Sequence, residues 1–231
     1  MPTSQESNIE DFAYDYLHAY YCVRHNTAGI LIGKQETTKQ HATADGLLAL
    51  KKADNSLFVA TLNTQLSEKI ALLLTRYKKK GLSRFRYMTA LGLVAFGVLA
   101  AKLTGLVAAL YVLPFMAGIG GFILHSVLEK LYLKRKIAHL VGELKHTPAN
   151  EQWLGISISS LVFRHNPLAT HLIMTCQHRG IGLLTVGKRA KVVQLQEPRT
   201  VQPRRGDFLS YYTSETQIRQ ALLDNTILRV A

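Results

Sequence analysis

From Tyr87 to Leu128 the chain runs for 42 residues with one charged side chain, Lys102. A helix needs about 20 apolar residues to cross a bilayer. A single helix of this length would extend about 63 Å at 1.5 Å per residue, roughly twice the hydrocarbon thickness. Two passes are therefore predicted, near 85–103 and 106–128, with the turn at Lys102-Leu103-Thr104-Gly105, where the lone charge meets a glycine. Burying such a hairpin inside a soluble protein is the competing account. The rest of a 231-residue chain offers too little surface to wrap it on every side.

Orientation is read from the cations beside the spans. Segment 76–86 carries +6 and segment 129–136 carries +3, while the turn holds only Lys102. Both flanks are expected in the cytoplasm, which places both termini on the cytoplasmic side of an inner or plasma membrane. The polar, acidic start MPTSQESNIEDF predicts no cleaved signal. Ala117 and Gly121, four residues apart, predict a small-residue packing face, and Pro114 predicts a kink. Lys102 and His125 are the only ionisable groups in or beside the spans, which leaves a dedicated ion pathway without support.

The net charge of +13 does not by itself point to nucleic acid, because most of it sits in the two flanks. A second cluster, Lys188, Arg189, Lys191, Arg199, Arg204 and Arg205 less Glu197, carries +5 and needs its own account. It is either a solvated basic edge or a contact surface for nucleic acid or lipid, with Lys188, Arg189, Lys191, Arg204 and Arg205 as the contact residues. Cys22 and Cys176 are expected as free thiols in a reducing compartment. His171, Cys176 and His178 lack paired metal-ligand spacing.

Outside the hairpin the pattern alternates helix and strand. Ser7-Asn8-Ile9-Glu10 fits a capping box opening a helix, whose apolar face is Phe12, Ala13, Tyr16, Leu17 and Tyr20. Strands are expected at 30–33, 46–50 and 57–62. The second and third should form a hairpin through Asp54-Asn55-Ser56. A helix from Ser67 leads to the first span, and the second span continues as a helix toward Lys145. A strand at 153–158, a helix at 167–178, strands at 180–186 and 191–195 and a helix at 214–223 follow. Neither soluble half can cover its own strands. The expected organisation is one cytoplasmic α/β domain in two halves, 1–80 and 137–231, split by a transmembrane hairpin with basic flanks at 81–136.

The order helix, strand, hairpin, helix, strand, helix, strand, with Asp45 ahead of Gly46–Leu50, resembles the PD-(D/E)XK nuclease superfamily. So does the run Cys176-Gln177-His178-Arg179-Gly180-Ile181-Gly182-Leu183-Leu184. The resemblance implies a restriction endonuclease-like mixed sheet flanked by helices. It also implies a site built from an aspartate opening the second strand and an E-x-K ending the third. In such a site two carboxylates hold a divalent cation that activates water, and the lysine stabilises developing charge. Asp45 matches and is the expected metal ligand. Asn63 stands at the glutamate position and Gln65 at the lysine position, and a neutral amide is a poor ligand for a hard cation. Glu68, in the next helix, is a relocated carboxylate or a first-turn dipole partner; Lys69 is adjacent, and Glu10 could supply an outer carboxylate. Asp45, Asn63, Gln65 and Glu68 thus form the candidate catalytic set of a degenerate nuclease, with Mg²⁺ or Mn²⁺ expected only if the site is active.

Gly182–Lys188 spells G-x-x-x-x-G-K, yet Arg189 follows where Ser or Thr would hold Mg²⁺ and the interior LLTV is strand-like. It reads as a strand ending in a basic turn. The open functions are a membrane-tethered nuclease-like domain that binds DNA or RNA or serves assembly, a membrane adaptor that recruits a protein partner, and an active nuclease using Glu68. A homo-oligomer formed through the hairpin is a further possibility.

Overall fold

The computed structural model describes residues 4–27, 29–104, 107–187 and 191–223. At the centre, β2 (Thr43–Lys51) and β3 (Leu57–Asn63) pair antiparallel, with Lys51 opposite Leu57 and Gly46 opposite Leu62. Their turn works because Asn55 accepts a left-handed φ of 64°. Asp54 fastens it by accepting from Ser56 N and Oγ at 2.9 and 2.6 Å. β1 (Ile30–Thr37) adds antiparallel to β2. β4 (Glu151–Ile156) lies parallel to β3, β5 (Ile181–Val186) parallel to β4, and β6 (Val192–Gln196) antiparallel to β5. The result is a six-stranded mixed sheet whose spatial order is the chain order.

Six α-helices accompany it among the described residues: α1 (Ser4–His25), α2 (Ser67–Lys80), α3 (Phe85–Thr104), α4 (Val107–Glu143), α5 (Pro167–Arg179) and α6 (Glu215–Leu223). Residues up to Thr75 and from Ala138 onward form one compact unit, and Arg76–Ile137 form another. The chain leaves the α/β unit within α2 and re-enters it within α4.

Strand alternation divides the α/β core. Leu48, Leu50, Phe58, Ala60 and Leu62 face α1, and Leu47, Ala49 and Val59 meet Leu209, Tyr212 and Ile218. Two expectations for α1 need correction. The helix is already formed at Ser4, so Ser7 does not cap it. Its buried stripe is Ala13, Tyr14, Leu17 and Tyr21, whereas Phe12 is 40% exposed and Tyr16 and Tyr20 are half-buried. Tyrosine carries a polar tip, so spacing alone does not decide which tyrosine stripe turns inward. The sheet decides it by offering buried acceptors to Tyr14 and Tyr21.

Trp153 occupies the space above its strand partner Gly182. A Cβ on Gly182 would stand 2.3 Å from Trp153 Cε3. Gly182→Ala is therefore expected to cost about 1–3 kcal/mol through overpacking, read as a lower urea midpoint.

In the other unit α3 and α4 run antiparallel, shown by contacts in descending order along α4. A Cβ on Gly97 would meet Pro114 Cα at 2.8 Å, one on Gly118 would meet Val94 Cγ2 at 2.6 Å, and one on Gly121 would meet Leu93 Cδ1 at 2.1 Å. The close face thus runs through Pro114, Gly118 and Gly121, and Ala117 is only half-buried. Beyond Tyr87, which packs on Phe122, Glu129 Oε1 accepts from Ser83 N at 2.7 Å. Phe85–Leu103 and the helix from Leu110 are each long and apolar enough to cross a membrane. Their outer faces, including Leu91, Phe96, Leu99, Phe115 and Met116, are exposed.

Candidate functional site

The parallel strands give the sheet two distinct ends. Asn63, Ile156 and Val186 close β3, β4 and β5 at one end, where antiparallel β2 contributes Asp45. Leu57, Glu151 and Ile181 open them at the other, where β2 ends in Lys51.

Asp45 is buried, and one oxygen of its carboxylate is committed. Oδ2 accepts from Thr64 N at 2.6 Å and Gln65 N at 2.9 Å, with Thr64 Oγ1 at 3.4 Å. It therefore holds the turn that carries β3 into α2. Thr64 Oγ1 in turn donates its one proton to Glu10 Oε1 at 2.6 Å, so the α1 glutamate comes to the same turn as Asp45. Tyr14 donates to the Asp45 carbonyl at 2.8 Å. Burial, followed by the charges of Glu10 and Asp45, pushes the Tyr14 hydroxyl above its ordinary range and keeps it a donor.

The other three expected site residues do not complete a carboxylate cluster. Asn63 is buried beside Asp45, but its Nδ2 has no hydrogen-bond partner among the described residues. Thr61 Oγ1 and Gln152 Oε1, on paired positions of β3 and β4, share that condition. Gln65 serves Asp45 with its backbone while its side chain is exposed. Glu68 is exposed in the first turn of α2, where it complements the helix dipole. Among the described residues no group of three or more His, Cys, Asp or Glu is placed to hold a metal. The residues that meet at Asp45 do not fit a Mg²⁺ or Mn²⁺ centre, because one carboxylate oxygen is taken by amides and the neighbouring Asn63 and Gln65 are neutral.

The basic cluster divides between the two ends. Lys188 and Arg189 lie outside the described residues. Lys191, exposed, stands at the Asp45 end, where its carbonyl accepts from Gly187 N at 3.0 Å. Arg204 and Arg205, also exposed, lie at the opposite end. Their loop is tied there by Val201 N to Asn150 O at 2.8 Å and Asn150 Nδ2 to Val201 O at 3.0 Å.

A buried polar network in the same unit has no short sequence motif. Glu151, at the start of β4, has a fully buried side chain. Its Oε2 accepts from Tyr21 at 2.7 Å and from Arg24 Nη1 at 3.1 Å, and its Oε1 accepts from Thr200 Oγ1. Trp153 Nε1 donates to Tyr21 at 2.7 Å. Burial and then the Glu151 charge hold the Tyr21 hydroxyl well above its usual range, so it remains a donor. The sequence signals were weak: a Tyr-Tyr pair on α1 followed by arginine, and a glutamate at a strand's edge.

No family model, curated protein or solved structure matches this chain.

Proposed function

We propose that this chain is a two-pass membrane protein that holds a nuclease-like, catalytically silent α/β domain at the cytoplasmic face of a membrane, where the domain binds or assembles and does not cut. The observation that carries the reading is the engagement of Asp45. A nuclease aspartate must offer its oxygens to a cation, and this one accepts from two backbone amides. The succession α1–β1–β2–β3–α2–β4–α5–β5, with Asp45 in β2 and Asn63 ending β3, supports kinship with the PD-(D/E)XK nuclease superfamily. The exposed apolar faces of α3 and α4 support insertion in a bilayer. The cations of 76–86 and 129–136 support the cytoplasmic placement of both flanks.

The test is incubation of the full chain, in lipid nanodiscs, with single- and double-stranded DNA and with RNA in Mg²⁺ or Mn²⁺. No cleavage above the Asp45→Ala background is expected. Cleavage that Asp45→Ala abolishes, while Asp45→Asn and the native chain show equal thermal stability, would overturn the silent reading.

The placement of Arg204 and Arg205 at the end away from Asp45 favours a second reading, an adaptor that recruits a protein partner. It predicts flat DNA and RNA binding curves across salt concentration. The nucleic-acid reading predicts steep salt dependence instead.

A further inference from the structure

A cavity of about 650 Å³ opens at the end of the sheet opposite Asp45, between the β2–β3 turn, the 202–207 loop and α6. Small-molecule sites span about 300–1,000 Å³. Three charged side chains of its wall are accounted for in a pair or a turn. Asp54 accepts twice from Ser56, and those bonds hold its carboxyl below the ordinary range. Asp207 is paired with Arg219 at 2.8 Å, and Arg219 also meets Glu215 at 3.0 Å. Lys52 lies with Nζ 4.9 Å over the Phe58 ring and makes no ion pair among the described residues, while its charge helps to hold the Asp54 carboxyl down.

The rest of the charge is cationic. Lys51 lines the cavity, and Arg204 and Arg205 sit in the loop between its lining residues Pro203 and Gly206. None of these three makes an ion pair among the described residues, and all three are exposed. Among the described residues Asp54 is the one wall carboxylate without an ion pair, and it is outnumbered by Lys51, Lys52 and the neighbouring Arg204 and Arg205. Leu57, Pro203 and Leu222 give the same cavity an apolar side. Asn150 is not available to read a ligand, because its Oδ1 accepts from Val59 N at 2.8 Å and its Nδ2 is bonded to Val201. It fixes the wall.

We infer that this cavity binds a phosphorylated small molecule of nucleotide size, its phosphates toward Lys51, Lys52, Arg204 and Arg205 and its less polar part against Leu57, Pro203 and Leu222. The site lies at the far end of the sheet from Asp45 and does not depend on whether that residue is silent, since its readout is binding and not cleavage. It gives the basic loop a role that a purely solvated edge lacks.

The experiment is calorimetric titration of the full chain, in nanodiscs of neutral lipid, with pyrophosphate and with ADP, using sulfate at matched ionic strength as the reference anion. Saturable binding of one ADP per chain is expected. Lys51→Glu and Arg204→Glu, both at exposed positions that fold readily, should each weaken it about tenfold or more, while Lys191→Glu at the other end leaves it unchanged. The inference fails if neither probe binds more tightly than sulfate, or if Lys191→Glu weakens ADP binding as much as the other two. It fails equally if only an oligonucleotide binds, or if the substitutions reduce association with anionic-lipid vesicles without affecting ADP.

Discussion

Glu151→Ala is expected to unfold the α/β unit under conditions that leave the native chain folded, with a loss of about 3–5 kcal/mol. That is a large part of the roughly 5–15 kcal/mol that holds a domain together. The side chain is fully buried and serves three donors from two separate segments: Tyr21 and Arg24 on α1, and Thr200 after β6. Removing it leaves the Arg24 guanidinium without its anion and orphans the Tyr21 hydroxyl. Glu151→Gln should lose less, because an amide oxygen still accepts from Tyr21. Arg24→Met should approach the alanine variant, because it strands the carboxylate. The chain has a single tryptophan, Trp153, and its indole donates to Tyr21, so fluorescence during urea denaturation reports this network directly. A loss below about 1 kcal/mol for Glu151→Ala would show that the pair behaves as a surface ion pair.

The second large effect concerns the hairpin. Phe96 and Met116 point outward from α3 and α4, at 68% and 64% exposure. In a bilayer those positions face lipid, where an aspartate near the helix centre costs about 2.5–3.5 kcal/mol on insertion. The double variant Phe96→Asp, Met116→Asp is expected to leave the alkali-resistant membrane pellet in which the native chain remains. Met174→Asp, on the exposed surface of α5, should remain in the pellet. A native chain that is monodisperse in detergent-free buffer, and made more soluble by the double variant, would refute membrane insertion.

Much of the architecture could be read from local pattern. The turn at Asp54-Asn55-Ser56, the strands expected at 57–62 and 180–186 and the helix beginning at Pro167 each declare themselves within a few residues. The helix start at Pro167 is reinforced by the Asn166 side chain, which accepts from Leu168 N and Ala169 N. What escaped were features set by distant partners. The strand expected to begin at Trp153 begins at Glu151, because the glutamate looks like loop chemistry until Arg24, 127 positions away, is beside it. The inward stripe of α1 was legible in Ala13 and Leu17, with Tyr16 and Tyr20 packed against the core, and incomplete at Tyr14 and Tyr21 for the same reason.

The candidate site was half legible. Asp45 was picked out by its place before a strand, and Glu10 does approach it, but the reason Asp45 matters to the fold lies in the Thr64 and Gln65 backbone amides, which carry no residue-type signal. Likewise, no local pattern sets Lys51 and Lys52 apart, and only the return of the 202–207 loop gives them a shared cavity.

The parallel pairing of β3 with β4 also sets a timetable for biosynthesis. At about 5–20 residues per second, the ribosome needs on the order of 4–18 s to travel from Asn63 to Glu151. During that interval β3 has β2 on one side and nothing on the other, so a row of backbone donors and acceptors stays open to any passing strand. The hairpin emerges in the same interval. Two sticky surfaces are then displayed together, and a pause in translation before β4 is the moment at which this chain is most exposed to misassembly.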